Sequence, residues 1–167
     1  FYGWGYEGDT VSHDEVASFE KAWSRLLDVD RFEATPFPRA EDIALRPPRV
    51  QPPASLAAIC TTDHYDRLYH TYGAGTVDVA RALRGEFRNP PDVIAYPQGE
   101  QDIVALYDWC GRNNLAVIPY GGGTSVVGGV NPPDSDRYRG VVSVDLKHLD
   151  KVLEVDEKSQ CARIQGG

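Results

Sequence analysis

The stretch IPYGGGTSVVGG, Ile118 to Gly129, constrains this chain more than any other, because it places five glycines in twelve residues directly after an apolar run. Glycine loses more conformational freedom on folding than any other residue, so such density predicts a backbone that bends through positive φ or is approached closely. Three phosphate-cradling designs put glycines after a strand. A Walker A loop ends in a lysine and a hydroxyl residue, and this stretch has no lysine. The dinucleotide fingerprint GxGxxG needs a third glycine where Val126 stands. Both designs also launch a helix towards the anion, whereas this loop runs into GGVNPPDSDRYRG, a non-helical sequence. What remains is a nest, in which successive backbone N–H groups curve around an anion without a helix or a lysine. Gly121, Gly122 and Gly123 permit the positive φ it needs, with Gly122 the expected centre, and Thr124 and Ser125 add hydroxyl donors. A glycine-rich surface turn without a ligand is the competing reading. The strand–loop–strand setting and the Thr-Ser pair favour anion binding.

The pattern around the loop predicts an α+β fold in two parts, residues 1–89 and 90–167. In the first part, SHDEVASFEKAWSRLL carries a capping box at Ser12 and Glu15. Val16, Phe19, Trp23, Leu26 and Leu27 then fall on one helical face. Six of the twelve prolines lie between Pro36 and Pro53, which predicts an extended tether. A second helical region spans Asp63 to Arg84 and is broken by YGAG at Tyr72 to Gly75, with Thr76 able to cap the second piece and Gly85 to end it.

After Pro90, DVIAYP reads as a short buried strand. Glu100 to Arg112 reads as a helix with Ile103, Val104, Tyr107 and Cys110 inward, stopped by Asn113-Asn114, and LAVIPY as the next strand. Together they predict a parallel βαβ unit. GVVSVDL, KVLEVD and CARIQ predict further strands, the last two as a hairpin.

Charge and cysteine usage narrow the partners. A net charge of −8 argues against nucleic acid or an anionic membrane surface. Cys60, Cys110 and Cys161 contain no CxxC pair and the four histidines no HExxH, so no metal site is expected and a reducing compartment is. No apolar run approaches the roughly 20 residues of a membrane span. The expected setting is the cytoplasm, with peripheral membrane association or the peroxisome as alternatives and a second copy of the chain as a candidate partner. The chain opens on Phe1 and ends at ARIQGG, in what reads as a strand and its turn, as a fragment would.

Outside the loop, Arg67 and His70 lie three apart on one helical face, where an acidic or phosphorylated substrate would meet both. An exposed, salt-bridged Asp66–Arg67–His70 surface is the commoner outcome for such a face. Trp4, Tyr2 and Tyr6 are expected to pin the N-terminal segment to the body rather than clamp a ligand. Cys110 reads as a small core residue, and His13 and His148 as exposed. No nucleophile–base pair stands out.

Pro-x-Gly-Gly-Gly-Thr-Ser, preceded by a strand–helix–strand whose first strand ends in YPQGEQDIV, resembles the pyrophosphate loop of flavoproteins related to vanillyl-alcohol oxidase and p-cresol methylhydroxylase. The resemblance runs from Pro91 to Gly167. It implies a p-cresol methylhydroxylase-type FAD-binding domain of which only the first subdomain is present. It also implies that Pro119, Tyr120, Gly121, Gly122, Gly123, Thr124 and Ser125 line the FAD pyrophosphate. FYGWGYEGD at the start and DRLYHTYG at Asp66 to Gly73 are similar to one branch, alkyldihydroxyacetonephosphate synthase and its bacterial relatives. That likeness implies a lipid-metabolising transferase with a lipid-like small-molecule substrate, exchanging an acyl for a fatty alkoxy group without net redox change. An FAD-linked oxidase or dehydrogenase of a 2-hydroxy acid or alcohol is the alternative on the same fold, and a non-enzymatic anion-binding module the third. The family's catalytic residues are expected beyond this sequence.

Overall fold

The protein is described here by a computed structural model, which describes residues 12–30, 38–134 and 136–167. The aromatic opening around Tyr2, Trp4 and Tyr6 lies outside them. Helix α1 spans His13–Leu27, and its capping box forms: the Ser12 side chain accepts from the Glu15 amide while Glu15 accepts from the Ser12 amide. Its apolar stripe, however, is not buried. No residue of α1 is buried, Leu26 is 71% exposed, and the Phe19 and Trp23 rings lie against each other, with centroids 5.5 Å apart.

The centre of the molecule is a four-stranded sheet of β1 (Cys60–Thr61), β2 (Val93–Ala95), β3 (Leu115–Tyr120) and β4 (Gly140–Asp145), ordered β1-β2-β4-β3. The β2–helix–β3 unit is parallel as expected, but its strands are not neighbours, because β4 inserts between them and pairs parallel with both. The reason lies in β4 itself. All six of its residues are buried, and a strand with no face for water belongs in the interior of a parallel sheet. The short strand β1, which has too few residues to show a period, adds antiparallel to β2 at the edge.

Helix α4 (Glu100–Asn113) follows β2 and covers one face. Leu106 and Cys110 pack there in one core cluster with Val93, Ala95, Leu115, Val142 and Val144. Val104 and Tyr107, expected inward, are 57% and 54% exposed. The helix carries two apolar stripes, and the one through Leu106 and Cys110 meets the sheet. The left-handed Asn114 (φ 53) ends the helix as its sequence predicts.

On the opposite face Ala116, Ile118, Tyr120 and Val141 pack with Val130. A third cluster, Ile43, Leu68, Tyr72, Ala82 and Phe87, joins helices α2 (His64–Tyr69) and α3 (Thr76–Leu83) to the proline-rich tether. Gly75, not Thr76, is the N-cap of α3 and offers no side-chain cap, while Gly85 takes its expected positive φ of 69°.

The tether is fastened by one carboxylate. Asp92, fully buried just before β2, accepts from the guanidinium groups of Arg46 and Arg49 and from the amides of Arg49 and Val141. Burial alone would raise its pKa, but those donors win and hold it at about 2. The last two strands, β5 (Val152–Asp156) and β6 (Cys161–Ile164), form the expected antiparallel hairpin, every residue of which is exposed.

Candidate functional site

The carboxyl ends of the parallel strands β2, β4 and β3 open into one cavity of about 410 Å³, the place where open α/β sheets hold their ligands. Tyr120, Gly121 and Gly122 supply one side and Asp145 and Lys147 another, with Tyr96 beside them; helix α2 closes over it with Tyr65, Asp66, Tyr69 and His70.

His70 fixes the floor. Its side chain is buried, with Nε2 3.0 Å from Asp145 Oδ2 and Nδ1 2.7 Å from the Asp66 carbonyl. A carbonyl can only accept, so Nδ1 carries a proton, and the Nε2–Oδ2 contact holds another between imidazole and carboxylate. Asp145 also accepts from the Lys147 amide through Oδ1. The imidazole lies 4.3 Å, centroid to centroid, from the Tyr120 ring. Tyr96 donates its hydroxyl to Asp66 at 2.8 Å, and Lys147 Nζ sits 3.9 Å from the Tyr96 ring centroid. Burial and the Asp66 hydrogen bond push the Tyr96 phenol well above its ordinary range.

Arg67 and His70 are therefore not the exposed polar face their spacing predicts; both are buried. Nor do both line the cavity. Arg67 turns away and donates to the carbonyls of Pro91 and Arg46 at 2.8 Å each. Burial, assisted by the nearby Arg46 charge, lowers its pKa. His70 alone of the two lines the cavity. Asp145, Lys147 and Tyr96 were not singled out in the sequence. Their one signal is position: each is the last residue of a strand or stands one or two places beyond it.

The glycine loop divides into two limbs. In the near limb Gly121 and Gly122 are exposed at the cavity wall. Among the described residues, none accepts from the backbone amides of Gly121 through Ser125. The positive φ expected at the loop's centre falls on Gly123, at 67°, and not on Gly122. A Cβ on Gly123 would collide with the Tyr120 hydroxyl, whereas one on Gly122 would meet only Thr124 Cγ2 at 3.7 Å. The far limb is engaged elsewhere: Ser125 Oγ accepts from the Gly129 amide at 2.9 Å, and the Ser125 carbonyl accepts from Ala74 at 2.7 Å. Pro119 and Thr124 are exposed and do not line the cavity. No side chain from Asn113 through Pro133 is charged, so the loop itself offers an anion only amide and hydroxyl donors.

An FAD binding domain family matches residues 91–167. Those residues belong to that FAD-binding family, and their cofactor is FAD. The chain is also 31% identical over 99% of its length to an alkyldihydroxyacetonephosphate synthase from Trypanosoma brucei brucei, of which it covers 31%. One from Dictyostelium discoideum is 32% identical over 81% of the chain, which covers 23% of that relative. A solved alkyldihydroxyacetonephosphate synthase structure superposes with a TM-score of 0.67 and 29% identity, over 78% of this chain and 26% of that one. A glycolate oxidase subunit from Bacillus subtilis (strain 168) is 28% identical over 49% of the chain and 16% of its own length. The chain thus spans less than a third of the relatives it matches.

The FAD-binding domain fits its cofactor in kind. A diphosphate needs several donors at close range, and the near limb offers consecutive amides with no partner of their own among the described residues and no Cβ on three successive residues. Among the described residues there is no cluster of three or more metal-ligating side chains, and no helix is long and apolar enough to cross a membrane.

Proposed function

We propose that this chain forms the pyrophosphate-holding part of an FAD-dependent enzyme of the alkyldihydroxyacetonephosphate synthase type, acting on a lipid-like small molecule. In this reading the amides of Gly121, Gly122 and Gly123 hold the diphosphate of FAD, with Tyr120 beside them at the cavity wall. When bound, FAD supplies the electrophilic ring system at which acyl-for-alkoxy exchange takes place. The chain's own residues bind and orient. The loop amides fix the diphosphate, Lys147 adds a cationic side chain at the cavity, and His70, locked by Asp145 and the Asp66 carbonyl, gives that cavity a rigid floor.

One observation carries the reading towards the synthase: where the likeness stops. The synthase from Trypanosoma brucei brucei matches 99% of the chain, including the helical N-terminal half, while the glycolate oxidase subunit matches only 49%. The shared half speaks for the flavin, and the additional half for the type of enzyme.

An FAD-linked oxidase or dehydrogenase of a 2-hydroxy acid is the second reading, supported by the glycolate oxidase likeness. One assay on the full-length protein separates them. The synthase reading expects a fatty alcohol to replace the acyl group of an acylated dihydroxyacetone phosphate with no oxygen consumed. Anaerobic bleaching of the flavin by a 2-hydroxy acid, without exchange activity, would reverse the ranking.

A further inference from the structure

The far limb of the glycine loop is held by residues that precede the FAD-binding domain. The Ala74 amide donates to the Ser125 carbonyl at 2.7 Å. Gly73 passes so close that a Cβ there would run into the same carbonyl oxygen, and a Cβ on Gly75 would stand 3.0 Å from the Val126 carbonyl. Asn131, where the loop ends, bridges back in both directions. Its Oδ1 accepts from the Gly73 amide at 3.2 Å and its Nδ2 donates to Asp78 Oδ1, on α3, at 2.9 Å. Asn89 adds a further bond to the loop's exit, donating to the Pro132 and Pro133 carbonyls. All four of Gly73, Ala74, Asp78 and Asn89 lie outside residues 91–167.

From this we infer that the turn between α2 and α3 is a brace for the glycine loop, so that Gly73, Ala74 and the Asp78–Asn131 pair act as positioning residues that set the protein's affinity for FAD. The physical argument is one of preorganisation. A loop with five glycines has many backbone states open to it, and a ligand held by its amides must bear the ordering of that loop in its binding free energy. The brace removes that ordering step by pinning Ser125, Val126 and Asn131 from outside, while the near limb stays open to the cavity. Close packing of backbone on backbone explains the YGAG sequence: Gly73 has no room for a side chain where the loop crosses, and Gly75 has little. The inference rests on the reading that the loop holds FAD.

The test is FAD binding by the full-length apoprotein, followed by flavin fluorescence, with far-UV circular dichroism as the check on folding. Gly73→Ala is expected to fold and to bind FAD about tenfold more weakly, the scale of coupling between groups in contact. A second pair of variants carries the test if that protein does not fold. Asn131→Asp sets two carboxylates against each other and is expected to weaken FAD binding. Adding Asp78→Asn restores a donor facing an acceptor and is expected to recover it, which loss of a merely structural contact would not do. Gly123→Val, in the loop itself, separates the two levels of the argument. If it loses FAD while folded Gly73→Ala and Asn131→Asp bind normally, the brace is wrong and the loop assignment stands. If folded Gly123→Val binds FAD normally, the loop assignment fails and the brace with it.

Discussion

Strand β4 begins beside one buried carboxylate and ends in another, and the two are used in opposite ways. Asp92, at the amino end of the sheet, is surrounded by two arginines that are always charged and by two backbone amides. Asp145, at the carboxyl end, faces the His70 imidazole and borders the cavity. One end is fastened with groups that cannot titrate near neutrality, and it holds the proline-rich tether to the sheet. The other end sets its carboxylate and histidine at the cavity. The same sheet therefore carries a fastening at one end of its strands and an open cavity at the other, the end at which α/β architectures collect their sites.

The largest expected effect is at the amino end. Asp92→Ala leaves two arginines without their partner and the buried Val141 amide without its acceptor. Breaking such a pair from one side costs about 3 kcal/mol, here moderated because Arg46 and Arg49 are 25% and 36% exposed. Denaturant unfolding measures it, and a loss below about 1 kcal/mol would reduce Asp92 to an ordinary surface ion pair. Next comes its pH signature. The Asp92 carboxyl is held at about 2 against about 3.9 in an unfolded chain. Its contribution, roughly 2.6 kcal/mol, is fully present above about pH 5 and lost progressively as pH falls through 2. Acid unfolding of the parent should be steeper over that window than that of Asp92→Asn; equal slopes would contradict the assignment. The smallest of the three is at the carboxyl end. His70→Phe leaves Asp145 Oδ2 without its donor but keeps the Lys147 amide on Oδ1, for an expected loss of about 1–2 kcal/mol. A loss as large as that of Asp92→Ala would break the distinction between the two ends.

What the sequence disclosed follows the same division between local and distant causes. The Ser12–Glu15 capping box, the left-handed Asn114, the positive φ of Gly85 and the β5–β6 hairpin depend on residues within a few positions of one another, and each forms as read. The site was legible where it too was local, in the glycine run that reaches the cavity with Gly121 and Gly122. It was not legible where partners lie far apart in the chain. Nothing near Arg67 announces the carbonyl of Pro91, and nothing near His70 announces Asp145, seventy-five positions away. Two buried polar residues were therefore read as an exposed face. Helix α4 erred differently: its two apolar stripes are both compatible with its period, and only the sheet decides between them. At the loop, glycine content marked the bend, but the choice of Gly123 over Gly122 depends on how Tyr120 folds back beneath it.

The three cysteines, spread over β1, α4 and β6, differ sharply in reactivity. Burial pushes the thiols of Cys60 and Cys110 up to about 11 and about 12, with Cys60 itself adding to the shift at Cys110. Attack on an alkylating reagent needs a thiolate with room around it; both of these thiols are held protonated, and Cys110 is buried and Cys60 partly so. Cys161 is exposed on the first residue of β6. A maleimide dye added to the folded protein at neutral pH would thus label one position, on the hairpin and away from the sheet, without any residue having to be removed first.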